Sequence, residues 1–350
     1  MKDITVKLDI TIRQAMKALD KTSEKCLLVL DEDDKLLGSL TDGDLRRSIL
    51  AGANASENIS ECYNKNATTF TQGNYTQEDA TRVLRDKKLD LIPIIDKDGK
   101  VVDYLTWSNI NGGKQKKKVL DDVSVVIMAG GKGARMEPFT KVLPKPLIPI
   151  NEKPIIEHII ERFTDTGCSD FHLTVNYKGK ILKAYFEELK PDYSVSFVDE
   201  NKPLGTAGSL QYLKGKFDKP FFVTNCDIII KADYVNLYEF HQKGGNDITL
   251  VASAKEYIIP YGTCKLNGDG DLSHINEKPK YDFLINTGLY ILNPDVLSII
   301  PKNKFYHITH MIDDLKNTGK RIGVFPIDDD AWIDIGEWAV YQKAVEQLGL

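Results

Sequence analysis

A glycine-rich loop followed by two basic side chains is the feature of this sequence that most directly indicates chemistry. An apolar run at residues 125–128 leads into the loop. The glycines of the loop are Gly130, Gly131 and Gly133. Glycines let backbone N–H groups come close to a phosphate chain, because no Cβ lies in the way. Arg135 and Lys145 follow and supply the cations that a polyphosphate needs. The pattern predicts a site for a nucleoside triphosphate.

Two carboxylates elsewhere in the chain are candidate ligands for a metal ion. Asp227 follows an apolar run at residues 221–224, and Asp334 lies near the end of the sequence. A lone Asp after a strand is more often a cap or turn residue. Two such residues with room for phosphate oxygens would suit Mg²⁺, which prefers hard oxygen ligands. His307 and His310 lack a third ligand, so we interpret both as ordinary helix residues.

The loop does not fit the two common phosphate-binding motifs. The P-loop ends in Gly-Lys-Ser/Thr, which is absent, and the dinucleotide fingerprint has a third glycine where Met136 stands. The strand, the Ala-Gly-Gly-x-Gly-x-Arg loop and Pro-Lys-Pro at residues 144–146 together resemble the signature of the sugar-1-phosphate nucleotidylyltransferases. The alternative is a glycine-rich turn with a solvated basic face.

This resemblance implies roles for several residues of this chain. The nucleotide would be bound by Ala129, Gly130, Gly131, Gly133, Glu200, Gly205 and Thr206. The implied catalytic residues are Arg135, Lys145, Lys278 and Asp227. Mg²⁺ would be held by Asp227 and Asp334. The sugar phosphate would be bound by Gly262, Glu277, Lys278, Asn286 and Thr287, within segments that match the family's sugar-contacting segments.

Glu200 bears on the choice of base. Family members that use uracil or thymine tend to carry Gln at the position that Glu200 matches. A carboxylate only accepts hydrogen bonds, so it suits the N1–H and N2–H₂ donors of guanine. The residue therefore favours GTP, with cytosine as a weaker alternative. A surface position for Glu200 is the other interpretation.

The N-terminal third contains an internal repeat with an offset of 65 residues. The match runs without a gap from Thr11 to Leu45, and it places Thr41 on Thr106. Two such copies are expected to pack on each other and share a core. The pattern resembles a tandem pair of CBS domains, the Bateman module. There Thr41 and Asp44 would hold the ribose of a regulatory nucleotide. The equivalents in the second copy are Thr106 and Asn109, which departs from the family pattern because it replaces the acid. A purely structural role for the module is the alternative.

Beyond residue 121, apolar runs alternate with helical patterns, including an apolar helix face at residues 155–163 and a helix opening at Gly208. This alternation predicts a mostly parallel sheet with helices on both faces and ligands at the carboxyl ends of the strands. The predicted fold is α/β: an N-terminal tandem CBS (Bateman) module and a C-terminal Rossmann-like nucleotidyltransferase domain with a mixed, mostly parallel sheet. The predicted boundaries are CBS repeat 1 at 1–60, CBS repeat 2 at 61–112, a linker at 113–121 and the nucleotidyltransferase domain at 122–350.

Composition limits the classes of partner. A net charge of −5 over 350 residues argues against a dedicated nucleic-acid binder. No apolar run approaches the ~20 residues of a membrane span. The N-terminus lacks the apolar region of a signal peptide, and the five cysteines form no CxxC pair, so we expect a cytoplasmic protein. Because paired CBS modules tend to associate, we expect a homo-oligomer.

The joint architecture most resembles the glucosamine-1-phosphate guanylyltransferases of legionaminic acid biosynthesis. That resemblance implies Mg²⁺-dependent transfer of GMP from GTP to glucosamine-1-phosphate with release of pyrophosphate, for nonulosonic acid or cell-surface glycan synthesis. The alternatives are a mannose- or heptose-1-phosphate guanylyltransferase and a uridylyl- or thymidylyltransferase. An alternative of another class is a nucleotide sensor whose transferase domain is inactive.

Overall fold

The computed structural model describes residues 4–22, 25–87, 89–106, 119–336 and 341, and the chain divides into two compact units. The first unit consists of Met1–Gln115 and Ala254–Ile285, and the second of Lys116–Ser253 and Asn286–Leu350. Most of the predicted linker, and Asn109 of the second repeat, lie outside the described residues. The domain boundaries therefore stay predictions.

The first unit contains two copies of one small α/β motif. The elements of the first copy are β1 (Thr5–Lys7), α1 (Ile12–Thr22), β2 (Cys26–Leu30), β3 (Leu36–Thr41) and α2 (Asp42–Leu50). Those described for the second are β4 (Phe70–Thr71), α3 (Gln77–Asp86), β5 (Leu91–Ile95) and β6 (Val101–Thr106). Each copy forms a three-stranded sheet in which the first pair of strands is parallel and the second antiparallel. The starts of α1 and α3, and both pairs of later strands, keep the 65-residue offset of the repeat.

The two copies share a core, as the repeat predicts. One cluster of buried side chains contains Ile4, Cys26 and Leu28 from the first copy and Leu91 and Tyr104 from the second. In the first copy, Leu27 and Val29 of β2 pack in a core made by that copy alone, and the shared cluster buries the alternate residues Cys26 and Leu28. Packing the copies together therefore stabilises both through the hydrophobic effect.

The remaining strands and helices follow in chain order. The strands are β7 (Ser124–Met128), β8 (Pro149–Ile150), β9 (Lys153–Pro154), β10 (Asp170–Val175), β11 (Ser194–Asp199), β12 (Phe221–Asn225), β13 (Ile228–Ile230), β14 (Ile248–Ile258), β15 (Thr263–Leu266), β16 (Leu272–Asn276), β17 (Lys280–Leu292), β18 (Ile322–Asp328) and β19 (Trp332–Asp334). The helices are α4 (Ile155–Thr164), α5 (Gly179–Leu189), α6 (Gly205–Gly208), α7 (Tyr234–Gly244) and α8 (Ile308–Asn317).

The second unit is built on a seven-stranded sheet in the order β11-β10-β7-β12-β17-β14-β18. Strands β11, β10, β7 and β12 are parallel, whereas β17 runs antiparallel to β12. Alternate residues of β7 enter different cores: Val125 and Ile127 face one cluster, and Val126 faces the other. Helix α4 buries its predicted apolar face, Ile155, Ile156, Ile159, Ile160 and Phe163. The predicted fold class, α/β with a mixed and mostly parallel sheet, is confirmed.

One predicted helix start is wrong. The helix expected to open at Gly208 instead ends there, since α6 covers Gly205–Gly208 and a 3₁₀ segment follows at Ser209–Leu213. The reason is a long-range contact, because the N–H groups of Ala207 and Gly208 both donate to the carbonyl of Tyr306 at 3.0 Å. No helix of the described ranges is long and apolar enough to cross a membrane.

The segment 254–285, called the arm below, belongs to the first unit although its neighbours in sequence belong to the second. Its central part is a hairpin of β15 and β16, in which Thr263 pairs with Asn276. All five residues of β16 are exposed to solvent. The arm also contains the end of β14 and the start of β17.

Candidate active site

The signature loop begins at the carboxyl end of β7, in the middle of the seven-stranded sheet. The N–H of Ala129 donates to the carbonyl of Thr174 at 2.9 Å and ties the loop to β10. Gly133 has φ +67°, and a Cβ there would lie 2.8 Å from Cγ2 of Thr140 and 3.2 Å from Cβ of Lys145. Among the described residues, none comes within 4 Å of a Cβ placed on Gly131. The backbone is thus closely packed at Gly133, whereas the space beside Gly131 is open to a phosphate group.

Glu200 joins the signature loop to the segment at residues 200–208, which contains the predicted nucleotide-binding residues Gly205 and Thr206. The residue is only 9% exposed, so its interpretation as a surface residue is wrong. A Cβ on Gly130 would lie 2.6 Å from Oε1 of Glu200, and the N–H of Leu204 donates to Oε2 at 3.4 Å. Burial raises the pKa of the Glu200 carboxyl, and the N–H of Leu204 and the nearby hydroxyls of Thr174 and Ser209 oppose that rise.

The segment at residues 200–208 is held by backbone groups at the start of α8 and just before it. Gly205 has φ +79°, and a Cβ there would lie 2.8 Å from the carbonyl oxygen of Tyr306. The N–H of Ile308 donates to Oγ1 of Thr206 at 3.0 Å, and the His307 ring nitrogen Nδ1 lies 3.3 Å from the same hydroxyl. The sequence did not indicate Tyr306, and the interpretation of His307 as an ordinary helix residue is wrong, because His307 is the N-cap residue that precedes α8. The two glycines on either side of Thr206 were the signal that another backbone approaches there.

The structure brings the two predicted metal ligands together. Strand β13 pairs antiparallel with β19, so that Ile228 lies opposite Asp334. The N–H of Ile335 donates to the backbone carbonyl of Asp227 at 2.8 Å. Asp227 and Asp334 therefore sit side by side where two short strands meet. Their proximity follows from backbone pairing that the sequence did not predict.

The two carboxylates differ in their surroundings. Asp227 forms an ion pair with Lys145, whose side chain is 8% exposed. The pKa of Asp334 is raised, mainly by burial and also by the charge of Asp227, while Lys145 and Arg135 act in the opposite direction. A Cβ on Gly336 would lie 2.8 Å from Oδ1 of Asp334 and 3.4 Å from Nη2 of Arg135. Two cations, Arg135 and Lys145, thus lie beside two carboxylates, Asp227 and Asp334, so that the formal charges of the cluster balance.

A cavity of about 260 Å³ opens at this cluster. Its lining includes Arg135, Asn225, Asp227, Asn286, Thr287 and Asp334. Thr287 is 2% exposed and donates from Oγ1 to the carbonyl of Val251 at 2.9 Å, which fixes its position. Asn286 donates to the hydroxyl of Tyr290 at 2.8 Å. Asn225, which precedes Cys226 and Asp227, was not among the predicted site residues.

The other predicted sugar-phosphate residues lie on the arm, in the first unit. A Cβ on Gly262 would lie 2.8 Å from Oε2 of Glu277, so these two residues are adjacent. Lys278 follows β16 and adopts φ +47°, a left-handed conformation that is uncommon for a lysine. The structure therefore places Gly262, Glu277 and Lys278 in one unit and Asn286 and Thr287 in the other.

Thr41 and Asp44 form a capping box at the start of α2. The N–H of Asp44 donates to Oγ1 of Thr41 at 3.2 Å, and the N–H of Thr41 donates to Oδ2 of Asp44 at 2.9 Å. Thr76 and Asp79 form the same box on α3. Thr106 is the last residue of β6 and is buried. Capping accounts for the local geometry of Thr41 and Asp44, and their contact with a nucleotide stays a prediction.

Comparison with known proteins gives two family matches and several relatives. The model for nucleotidyl transferase matches residues 124–349, and the CBS domain model matches residues 1–51. The chain is similar to the mannose-1-phosphate guanyltransferase of Aspergillus fumigatus, with 38% identity over 188 residues, 51% of each chain. It is also similar to mannose-1-phosphate guanyltransferase 2 of Candida glabrata, with 34% identity over 222 residues, 61% of each chain. The chain spans about half the length of the curated relatives it matches.

Among solved structures, HddC from Yersinia pseudotuberculosis is similar, with 28% identity and a TM-score of 0.51 over 65% of this chain and 99% of that one. A structure of HddC complexed with GMP-PN gives 26% identity and the same TM-score and coverage.

Proposed function

Because the chain belongs to the nucleotidyl transferase family, we propose that it transfers a nucleoside monophosphate from a triphosphate to a sugar-1-phosphate and releases pyrophosphate. One observation carries the proposal. Arg135, Asp227 and Asp334 line a single cavity, and Lys145 pairs with Asp227 at its edge. The glycine loop ends beside them, since Gly133 packs against Lys145. A phosphate-binding loop next to paired cations and carboxylates suits phosphoryl chemistry rather than acyl or glycosyl transfer.

The reaction needs positioning and charge neutralisation more than proton transfer. A phosphate oxygen of the sugar-1-phosphate attacks the α-phosphorus in line, the new P–O bond forms, and the bond to the β-phosphate breaks. The attacking oxygen is already ionised at neutral pH, so no general base is required. None of the described residues that line the cavity is a histidine. Arg135 and the loop N–H groups would stabilise the leaving pyrophosphate, and Lys145 and Lys278 would orient the two phosphates.

The carboxylate pair fits a bound Mg²⁺ ion. Burial and the neighbouring charge of Asp227 raise the pKa of Asp334, and a divalent cation beside both would offset that repulsion. Both residues offer the hard oxygen ligands that Mg²⁺ prefers. Asp227 and Asp334 would hold the ion, which supplies further charge neutralisation at the reacting phosphates when bound.

For the base we favour guanine. Glu200 is a buried carboxylate beside the signature loop, and it could accept from the N1–H and N2–H₂ donors. Two kinds of relative support the choice: proteins named mannose-1-phosphate guanyltransferase and a structure complexed with GMP-PN. UTP, dTTP and CTP are the alternatives.

For the sugar we favour glucosamine-1-phosphate, on the combination of a CBS module with a transferase domain, which also suggests the legionaminic-type pathway. Mannose-1-phosphate is the second candidate, and the names of the relatives favour it. Heptose-1-phosphate is the third. A nucleotide sensor without activity is disfavoured, because an inactive domain has no need to keep the cluster around Asp227.

Three further proposals concern regulation, assembly and location. A regulatory nucleotide would bind at Thr41 and Asp44. Association of the module would give a homo-oligomer. A cytoplasmic location agrees with the five cysteines, all of which are free thiols.

The test measures pyrophosphate release in the presence of Mg²⁺. GTP, UTP, dTTP, CTP and ATP are each paired with glucosamine-, mannose- and glucose-1-phosphate. We expect turnover with GTP and glucosamine-1-phosphate. Turnover with UTP or dTTP would keep the reaction and reject the role of Glu200. Turnover with GTP and mannose-1-phosphate would keep the proposed reaction and base and replace only the proposed sugar. Binding of GTP by calorimetry without turnover for any pair would favour the sensor.

A further inference from the structure

One arginine of the first repeat donates hydrogen bonds to the first and the last strand of the arm. Arg13 lies in the first turn of α1. Its Nη1 donates to the carbonyl of Ala254 on β14 at 2.6 Å, and its Nη2 donates to Oδ1 of Asp282 on β17 at 2.8 Å. Since β14 and β17 are neighbours in the sheet order, a single guanidinium ties the two strands together.

A second residue of the same repeat completes the contact. Oγ of Ser56 donates to Oδ2 of Asp282 at 2.9 Å, so both carboxylate oxygens are bound by the first repeat. The N–H of Arg13 donates to the carbonyl of Ala55 at 2.9 Å, which joins the two parts of the repeat that hold the arm. The Arg13 and Asp282 side chains are only 18% and 13% exposed. Charge-assisted hydrogen bonds with limited exposure are stronger than surface ion pairs.

The contact is specific to the first repeat. The residue 65 positions after Arg13 is Glu78, which carries the opposite charge and would repel a carboxylate on the arm. The arm also carries Glu277 and Lys278, and Asp282 lies four residues after Lys278 in the chain. A change at Asp282 is therefore close in sequence to the residues that the proposed function assigns to the sugar phosphate.

We propose that Arg13 and Ser56 are positioning residues that hold the arm through Asp282, so that the first repeat sets the affinity for the sugar-1-phosphate. This inference rests on the proposed function, in which Glu277 and Lys278 contact that substrate. The residues proposed to bind the triphosphate lie in the second unit. The affinity of the protein for the triphosphate should therefore not depend on the contact between Arg13 and Asp282.

The test compares Arg13→Ala with the wild type in steady-state kinetics. We expect KM for the sugar-1-phosphate to rise about tenfold, the range for a charged hydrogen bond that is partly exposed. KM for the triphosphate should change less than about twofold, because the residues proposed to bind it lie outside the arm. Any fall in kcat should be smaller than the rise in KM for the sugar-1-phosphate, because Lys278 itself is kept. Arg82→Ala is the matched control, because Arg82 pairs with Asp79 on α3 and does not touch the arm in the described contacts.

A charge swap tests the mechanism directly. Arg13→Asp with Asp282→Arg should recover part of the lost affinity, whereas each single change should not. Equal rises in the two KM values, or no rise with Arg13→Ala, would overturn the proposal.

Amide hydrogen exchange of residues 254–285 gives a second readout that needs no turnover. It should speed up in Arg13→Ala and not in Arg82→Ala. Unchanged exchange in a folded Arg13→Ala would overturn the proposal even if the proposed reaction were wrong. Absence of turnover in the wild type with faster exchange in the variant would instead reject the proposed reaction and keep the positioning role.

Discussion

The carboxylate cluster and the arm carry the two halves of the proposed chemistry, and the fold fixes them to very different degrees. Asp227 and Asp334 are placed by pairing of β13 with β19 and are surrounded by buried side chains. Lys278 and Glu277 lie on a hairpin whose second strand is exposed throughout. Groups fixed by a core need no further support, whereas groups on an exposed hairpin depend on contacts at its base. The contrast implies that the groups at the reacting phosphates are held rigidly, whereas the groups that would bind the sugar can shift with the contacts of the arm.

The largest effect should come from the fixed half. Asp227→Asn removes one carboxylate of the pair and the partner of Lys145. We expect kcat to fall at least about 10²-fold, a loss typical of a preorganised charged group, in a protein that still folds. The melting temperature should fall as well, because the nearly buried Lys145 loses its partner. Pyrophosphate release and circular dichroism measure the two quantities. Asp122→Asn is the control, because Asp122 forms an exposed ion pair with Lys219. Near-normal turnover in Asp227→Asn would remove the cluster from the reaction.

The arm should respond in affinity rather than in rate. Lys278→Ala removes a cation from the end of the hairpin, and we expect KM for the sugar-1-phosphate to rise roughly 10- to 100-fold with a smaller change in KM for the triphosphate. Lys265→Ala, an exposed lysine on β15, is the control on the same hairpin. A kcat loss as large as that of Asp227→Asn, with KM unchanged, would erase the distinction between the two regions.

How far the sequence predicts the structure depends on the range of each contact rather than on the region. The signature loop, the apolar face of α4 and the 65-residue repeat were predicted because each is a local or periodic pattern. The contacts of Arg13 with Ala254 and Asp282 span 241 and 269 residues, and no local pattern encodes them. The same limit explains α6, whose start depends on the backbone of Tyr306. No pattern in the sequence indicates that residues 254–285 belong to the first unit.

The first repeat offers a smaller test, because its Thr-x-x-Asp element has two explanations. Thr41→Ala should lower stability by about 1 kcal/mol through loss of the cap on α2. Thr76→Ala removes the same cap from α3 and should cost a similar amount. If Thr41 also binds a regulatory nucleotide, ATP or GDP should raise the melting temperature of the wild type and of Thr76→Ala but not of Thr41→Ala. Equal nucleotide responses in both variants would leave Thr41 with the capping role alone.

The smallest expected effect tests whether Glu200 belongs to the fixed region. Burial raises the pKa of its carboxyl in the folded protein above the value in the unfolded chain. Below the unfolded pKa, both states hold the proton, and its contribution to stability is fully present. As the pH rises through the folded pKa, the unfolded chain releases the proton more readily, and that contribution is lost.

Glu200→Gln removes this titration while keeping an oxygen that can accept from the N–H of Leu204. The melting temperature of Glu200→Gln relative to the wild type should therefore rise between about pH 4.5 and pH 7, by on the order of 2 °C. Glu188→Gln, on the exposed face of α5, should show no such trend. If the difference in melting temperature between Glu200→Gln and the wild type does not change with pH, the Glu200 carboxylate is as well solvated as one on the arm. Base recognition would then belong with the adjustable region rather than with the rigid one.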